Sequence, residues 1–87
     1  MKFQIICYNN GNFYISLNKI PILSDYQMAK YLDLSLEKYR DILKASNGIP
    51  RAWDNDEIEF TKKEDAEAAI KILEPYLVMA KLVGNDL

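Results

Sequence analysis

Two stretches near the start, Lys2 to Tyr8 and Phe13 to Leu17, are rich in β-branched and aromatic residues and enclose the polar run Asn9-Asn10-Gly11-Asn12. Such a pattern predicts a β-hairpin over residues 2–18. Asn10-Gly11 is the dipeptide of a two-residue type I′ turn, whose central residues both take positive φ. That turn sets Tyr8 opposite Phe13, Ile6 opposite Ile15 and Gln4 opposite Leu17, an apolar strip to lie on the helices. Phe3, Ile5, Cys7, Tyr14 and Ser16 fall on the other face, which is apolar enough to expect a covering element or a partner strand.

From residue 24 onward the apolar spacing becomes helical. Ser24-Asp25-Tyr26-Gln27 has the form of a capping box, with Leu23 and Met28 as its hydrophobic staple, and predicts a helix from Asp25 to about Leu32. Ser35 repeats the device with Leu34 and Tyr39, predicting a second helix from Leu36 to about Ser46 that stops in a left-handed residue near Gly48. Small Ala29, the turn residues Leu32 and Leu34, and apolar Tyr39, Ile42 and Leu43 give residues 24–47 a resemblance to a helix-turn-helix. Asp33 stands where that family prefers Gly, and Asp tolerates the left-handed conformation. At 100° per residue, Leu36, Tyr39, Ile42 and Leu43 share the buried side of the second helix. Glu37, Asp41 and Lys44 centre its outer side, with Lys38 and Arg40 at the flanks, and i,i+3 pairs Glu37 with Arg40 and Lys38 with Asp41.

Ile49 to Trp53 and Glu57 to Phe60, around Asp54-Asn55-Asp56, predict a second hairpin over residues 49–60. Thr61-Lys62-Lys63-Glu64 reads as a third capping box, opening a helix over residues 62–83 that Pro75 interrupts with a kink or restart and Gly84 ends. Ala66, Ala69, Ile70, Leu73, Tyr76, Leu77 and Ala80 form its core stripe, and Ile72, Met79 and Val83 widen it. Val78 and Leu82 fall outside it, so the last two turns are apolar nearly all round. Val78, Met79, Leu82 and Val83 are therefore the expected seam of a homodimer.

The expectation is one α+β domain over residues 1–87: hairpin, helix-turn-helix, wing-like hairpin and long kinked C-terminal helix. This order is similar to the winged-helix proteins of the MerR and excisionase kind, and the resemblance implies a small mobile-element regulator. Small size and richness in Lys, Asn, Ile and Tyr fit a phage factor.

Charge changes that picture. The chain carries 11 Lys and Arg against 13 Asp and Glu, a net −2. Residues 1–51 sum to +3 and residues 52–87 to −5, because Asp54, Asp56, Glu57 and Glu59 crowd the wing and Asp86 follows the last helix, in which Lys and acidic residues balance. DNA-binding wings offer cations to phosphate, and major-groove helices offer Arg, Lys, Asn and Gln to base edges. Here two carboxylates centre the outer face of the second helix. A protein-interaction role would use Glu37, Asp41, Trp53, Asp54, Asp56 and Glu57, with Trp53 beside Arg51 as an anchor. A DNA-binding transcriptional or recombination regulator, the alternative, would use Lys38, Arg40, Lys44 and Arg51.

Catalysis finds no support: there is no His, no Gly-rich phosphate loop and no activated nucleophile. Read from Asp54, the calcium-loop pattern fails, because Glu57, Ile58 and Glu59 occupy the positions that need a turn and Gly. The chain is thus expected to need no metal or cofactor. Cys7 reads as a structural thiol. No apolar run reaches membrane-spanning length, and no signal peptide opens the chain, so a cytoplasmic protein without a membrane partner is expected.

Overall fold

A computed structural model of the chain describes residues 2–19, 24–51 and 57–82, with side chains through Leu77. Its element order is β1 (Phe3–Cys7), β2 (Phe13–Leu17), α1 (Asp25–Tyr31), α2 (Leu36–Ala45), β3 (Ile49–Pro50), β4 (Ile58–Glu59) and α3 (Lys63–Leu82). The expected α+β order therefore holds. Leu23, Trp53, Asp54, Asp56, Val83 and Gly84 lie outside the described residues, as do the side chains of Val78, Met79 and Leu82.

The first hairpin forms in a different register from the expected one. Phe3 pairs with Leu17, Ile5 with Ile15 and Cys7 with Phe13, a slip of one residue. Its cause is the turn. Gly11 N–H donates to Tyr8 C=O at 3.0 Å, and Tyr8 N–H donates to Asn12 C=O at 2.8 Å. Gly11 is left-handed at φ 84° while Asn10 is not, so a three-residue loop with a glycine bulge replaces the type I′ turn. Asn10 Oδ1 accepts from Asn12 N–H at 2.9 Å and holds that loop. A one-residue slip exchanges the faces of a strand. Phe3, Ile5, Phe13, Ile15 and Leu17 thus pack on the core, and Gln4, Ile6, Tyr8 and Tyr14 turn away from it.

Helix α1 opens with the full capping box: Ser24 Oγ accepts from Gln27 N–H at 3.3 Å, and Gln27 Oε1 accepts from Ser24 N–H at 3.2 Å. Ser35 Oγ caps α2 by accepting from Lys38 N–H at 3.1 Å. Both helices close in the same way. After α1, Leu34 N–H reaches Ala29 C=O and Asp33 N–H reaches Lys30 C=O, with Asp33 left-handed at φ 58°. After α2, Gly48 N–H reaches Leu43 C=O and Asn47 N–H reaches Lys44 C=O, with Asn47 left-handed at φ 69°. These are Schellman motifs. The left-handed stop is Asn47, and not Gly48. Gly48 is needed for a different reason: a Cβ there would stand 2.5 Å from Ile58 Cγ2 and 2.7 Å from Leu43 O.

The capping box expected at Thr61 is not made. Ala66 N–H and Asp65 N–H both bond Lys62 C=O, which makes Lys62 the N-cap, and Glu64 and Asp65 supply negative charge to the first turn. Pro75 lies inside one uninterrupted helix, without the restart expected there. Ile72 is 46% exposed and does not widen the buried stripe.

One core joins these elements, with Leu17, Met28, Leu32, Tyr39, Leu43, Phe60 and Leu73 buried almost completely. Ala66 and Ala69 let α3 approach closely. Strand β4 reaches the first hairpin through Phe60 and Phe13, which exchange both backbone hydrogen bonds at 2.8 Å. That bridge sets the second hairpin beside the turn end of the first.

Candidate interaction surfaces

Strand alternation builds the first surface. Arg51 N–H donates to Glu57 C=O at 3.1 Å, continuing the ladder that pairs Pro50 with Ile58 and Ile49 with Glu59. Period two puts Glu57 and Glu59 on one face with Arg51, while Ile58 between them is buried in the core. The Phe13–Phe60 bridge brings this face against Tyr8 and Asn12.

Arg51 is consumed there. Its Nη1 lies 2.7 Å from Glu57 Oε2, its Nε lies 3.5 Å from Glu59 Oε2, and its side chain is only 14% exposed. The guanidinium also sits 3.8 Å over the ring of Tyr8, which stacks on Tyr14 with centroids 4.2 Å apart. Tyr8 O–H donates to Glu57 Oε2 at 3.4 Å, and Asn12 Nδ2 donates to Glu59 Oε1 at 3.0 Å. A cation stacked on an aromatic face and held by two carboxylates gains order and loses freedom to meet a ligand. Glu59 is correspondingly buried and Glu57 half-buried, so neither belongs to an open acidic tip.

The outer face of α2 is the second surface. Glu37, Lys38, Asp41 and Lys44 are exposed and Arg40 is half-buried, which is the phase that the sequence predicts. Leu36, Glu37, Arg40, Asp41 and Lys44 line a shallow depression of about 320 Å³. Among the described residues no ion pair joins Glu37 to Arg40 or Lys38 to Asp41. Arg40 Nε is buried and has no hydrogen-bond partner among the described residues. Tyr39, on the inner side, has its phenol pushed far above its ordinary range, first by burial and then by the nearby Asp25 carboxylate.

The structure thus gathers Glu37, Lys38, Arg40, Asp41 and Lys44 on one face and separates Arg51 and Glu57 from them. Sequence reasoning missed Tyr8 and Glu59 as partners of Arg51, and Tyr14 and Asn12 as the residues that stack on Tyr8 and bond Glu59; the same-face spacing of Glu57 and Glu59 opposite Arg51 was the available signal. Among the described residues, no three His, Cys, Asp or Glu side chains converge where a metal ion could be held. Nor is any described helix long and apolar enough to cross a membrane. No family model, curated protein or solved structure matches the chain.

Proposed function

We propose that the chain is a small, non-enzymatic, cytoplasmic protein-binding module on a winged helix-turn-helix-like scaffold, a phage or mobile-element factor that modulates a host protein. The observation that carries this reading is the fate of Arg51. It is the cation nearest the wing, and Glu57, Glu59 and Tyr8 hold it inside the fold. A wing without a free cation lacks the phosphate contacts on which non-specific DNA affinity rests. The exposed carboxylates of Glu37 and Asp41 on α2 point the same way, since they suit a basic protein surface and oppose phosphate.

Binding to random duplex DNA between about 50 and 200 mM salt tests this reading. Little binding is expected at either concentration. Affinity that is tight at low salt and collapses across the series would refute it. Capture of a host protein should in turn be lost when Glu37→Lys and Asp41→Lys are combined.

One observation favours a DNA-binding regulator as the second reading: Arg40 Nε has no acceptor among the described residues and is flanked on the same face by exposed Lys38 and Lys44. On that reading, Lys38, Arg40 and Lys44 changed together to Ala should abolish DNA binding with an unchanged circular dichroism spectrum. Unchanged affinity would dismiss it.

A further inference from the structure

Among the described residues, strand β1 is an open edge. Tyr8 bonds Asn12 and Lys2 C=O accepts from Asn18 N–H, so the even-numbered residues of β1 direct their backbone groups at β2. By alternation, the N–H and C=O groups of Phe3, Ile5 and Cys7 face the opposite way, and β1 has β2 as its sole strand neighbour among the described residues. Natural edges are guarded by charge, proline or a bulge. The segment Phe-Gln-Ile-Ile-Cys has none of these.

A groove runs beside that edge, lined by Phe3, Gln4 and Ile5 on the strand and by Ile70 and a row of charges on α3. The row reads Lys63, Glu67, Lys71, Glu74: positive, negative, positive, negative. Turned end for end about a point near residue 69, it meets itself with opposite signs, Lys63 against Glu74 and Glu67 against Lys71. A two-fold axis requires just this self-complementarity, because the same patch must serve both partners.

We propose that a second copy of this chain docks on the edge, β1 against β1 in antiparallel register about Ile5. The strands then form one continuous sheet in which Ile5 faces Ile5 of the partner subunit and Phe3 faces Cys7 of the partner subunit, each facing pair exchanging two backbone hydrogen bonds. Phe3, Ile5 and Ile70, half-buried in one copy, become covered. The α3 charge rows run antiparallel across the axis and set the register. This pairing is independent of whether the module's other partner is protein or DNA, and it uses a different surface from the seam expected at Val78, Met79, Leu82 and Val83.

Light scattering and sedimentation of the full chain test the proposal through a charge swap at two exposed positions away from the core. The expected wild-type mass is twice the 10.1 kDa of one chain. Lys71→Glu turns both symmetry-related pairs repulsive and should weaken dimerisation about tenfold. Adding Glu67→Lys to it restores opposite signs and should restore the dimer. Independently, Ile5→Cys with Cys7→Ser should give a disulfide-linked dimer on mild oxidation, since facing residues in such a pair lie about 5.5 Å apart. Gln4→Cys in the same background should not crosslink. A monomeric wild type at high concentration overturns the proposal. So does a dimer that ignores Lys71→Glu, or one whose loss the second substitution fails to reverse. If circular dichroism shows Ile5→Cys unfolded, the charge swap alone decides.

Discussion

Gly48→Ala should be among the costliest single-methyl changes in this protein, for a reason that has nothing to do with glycine's left-handed freedom. Gly48 is buried, and its φ does not lie in the left-handed region, where Asn47 sits instead. An added Cβ would meet Ile58 Cγ2 at 2.5 Å and the carbonyl oxygen of Leu43 at 2.7 Å. The first neighbour is a buried core side chain with little room to retreat, and overpacking of this kind costs about 1–3 kcal/mol. The second accepts the Gly48 N–H bond at 2.8 Å that closes α2, and displacing it forfeits about 1 kcal/mol more. A total of about 2–4 kcal/mol is a large share of the roughly 4–13 kcal/mol available to a domain of this size. It corresponds to a fall in melting temperature of roughly 10–25 °C. Urea denaturation followed by circular dichroism measures it. Ile58→Ala removes the colliding Cγ2, so a double-mutant cycle should show Gly48→Ala costing at least about 1 kcal/mol less in that background. Asn47→Gly is the control: the left-handed strain it relieves and the backbone entropy it adds nearly cancel. Gly48→Ala within about 0.5 kcal/mol of wild type would refute the close-approach argument.

Arg51→Met keeps an apolar stem over Tyr8 but strips the cation from Glu57 and from buried Glu59; a loss of about 1–3 kcal/mol is expected by urea denaturation, partly recovered when Glu59→Gln is added. Tyr39, whose phenol is raised by burial and by Asp25, stays protonated in the fold while the unfolded chain ionises near pH 10. Its contribution is therefore complete below about pH 10 and declines above it by about 1.4 kcal/mol per pH unit; Tyr39→Phe should flatten that alkaline slope in denaturation curves. Gly11→Ala meets no atom within 4 Å, so its cost should be the φ penalty alone, about 1–2 kcal/mol by thermal melting, with Gly11→Asn milder.

What the sequence discloses here is what a few consecutive residues decide. The Ser24 capping box and the Ser35 cap are each complete within three residues, and both form as their spacing predicts. The buried side of α2 follows from phase alone. The hairpin register fails the same test, because Asn9-Asn10-Gly11-Asn12 admits two loop lengths. A two-residue loop needs Asn10 at positive φ, whereas the three-residue loop confines that demand to Gly11 and adds the Asn10–Asn12 hydrogen bond. Local propensity barely separates them. The core separates them decisively, by taking Phe3 and Ile5 in place of Gln4, Ile6 and Tyr8.

Arg51 carries the same lesson from packing into function. Counted along the chain, it adds to a positive first segment and counts as a phosphate contact. Its neighbours in space are Tyr8, itself stacked on Tyr14, from the first hairpin and Glu57 and Glu59 from its own, brought together where Phe13 and Phe60 bridge the two. Once there, the cation neutralises half-buried Glu57 and buried Glu59, which would otherwise repel each other, so releasing it to phosphate would weaken the junction of the two hairpins. The outer face of α2 offers exposed charge of both signs, with Glu37 and Asp41 at the centre and Lys38, Arg40 and Lys44 around them. Partner choice therefore turns on which of those two sets makes contact, and reversing Glu37 and Asp41 without touching the cations separates them: a protein partner would be lost, whereas affinity for DNA would rise.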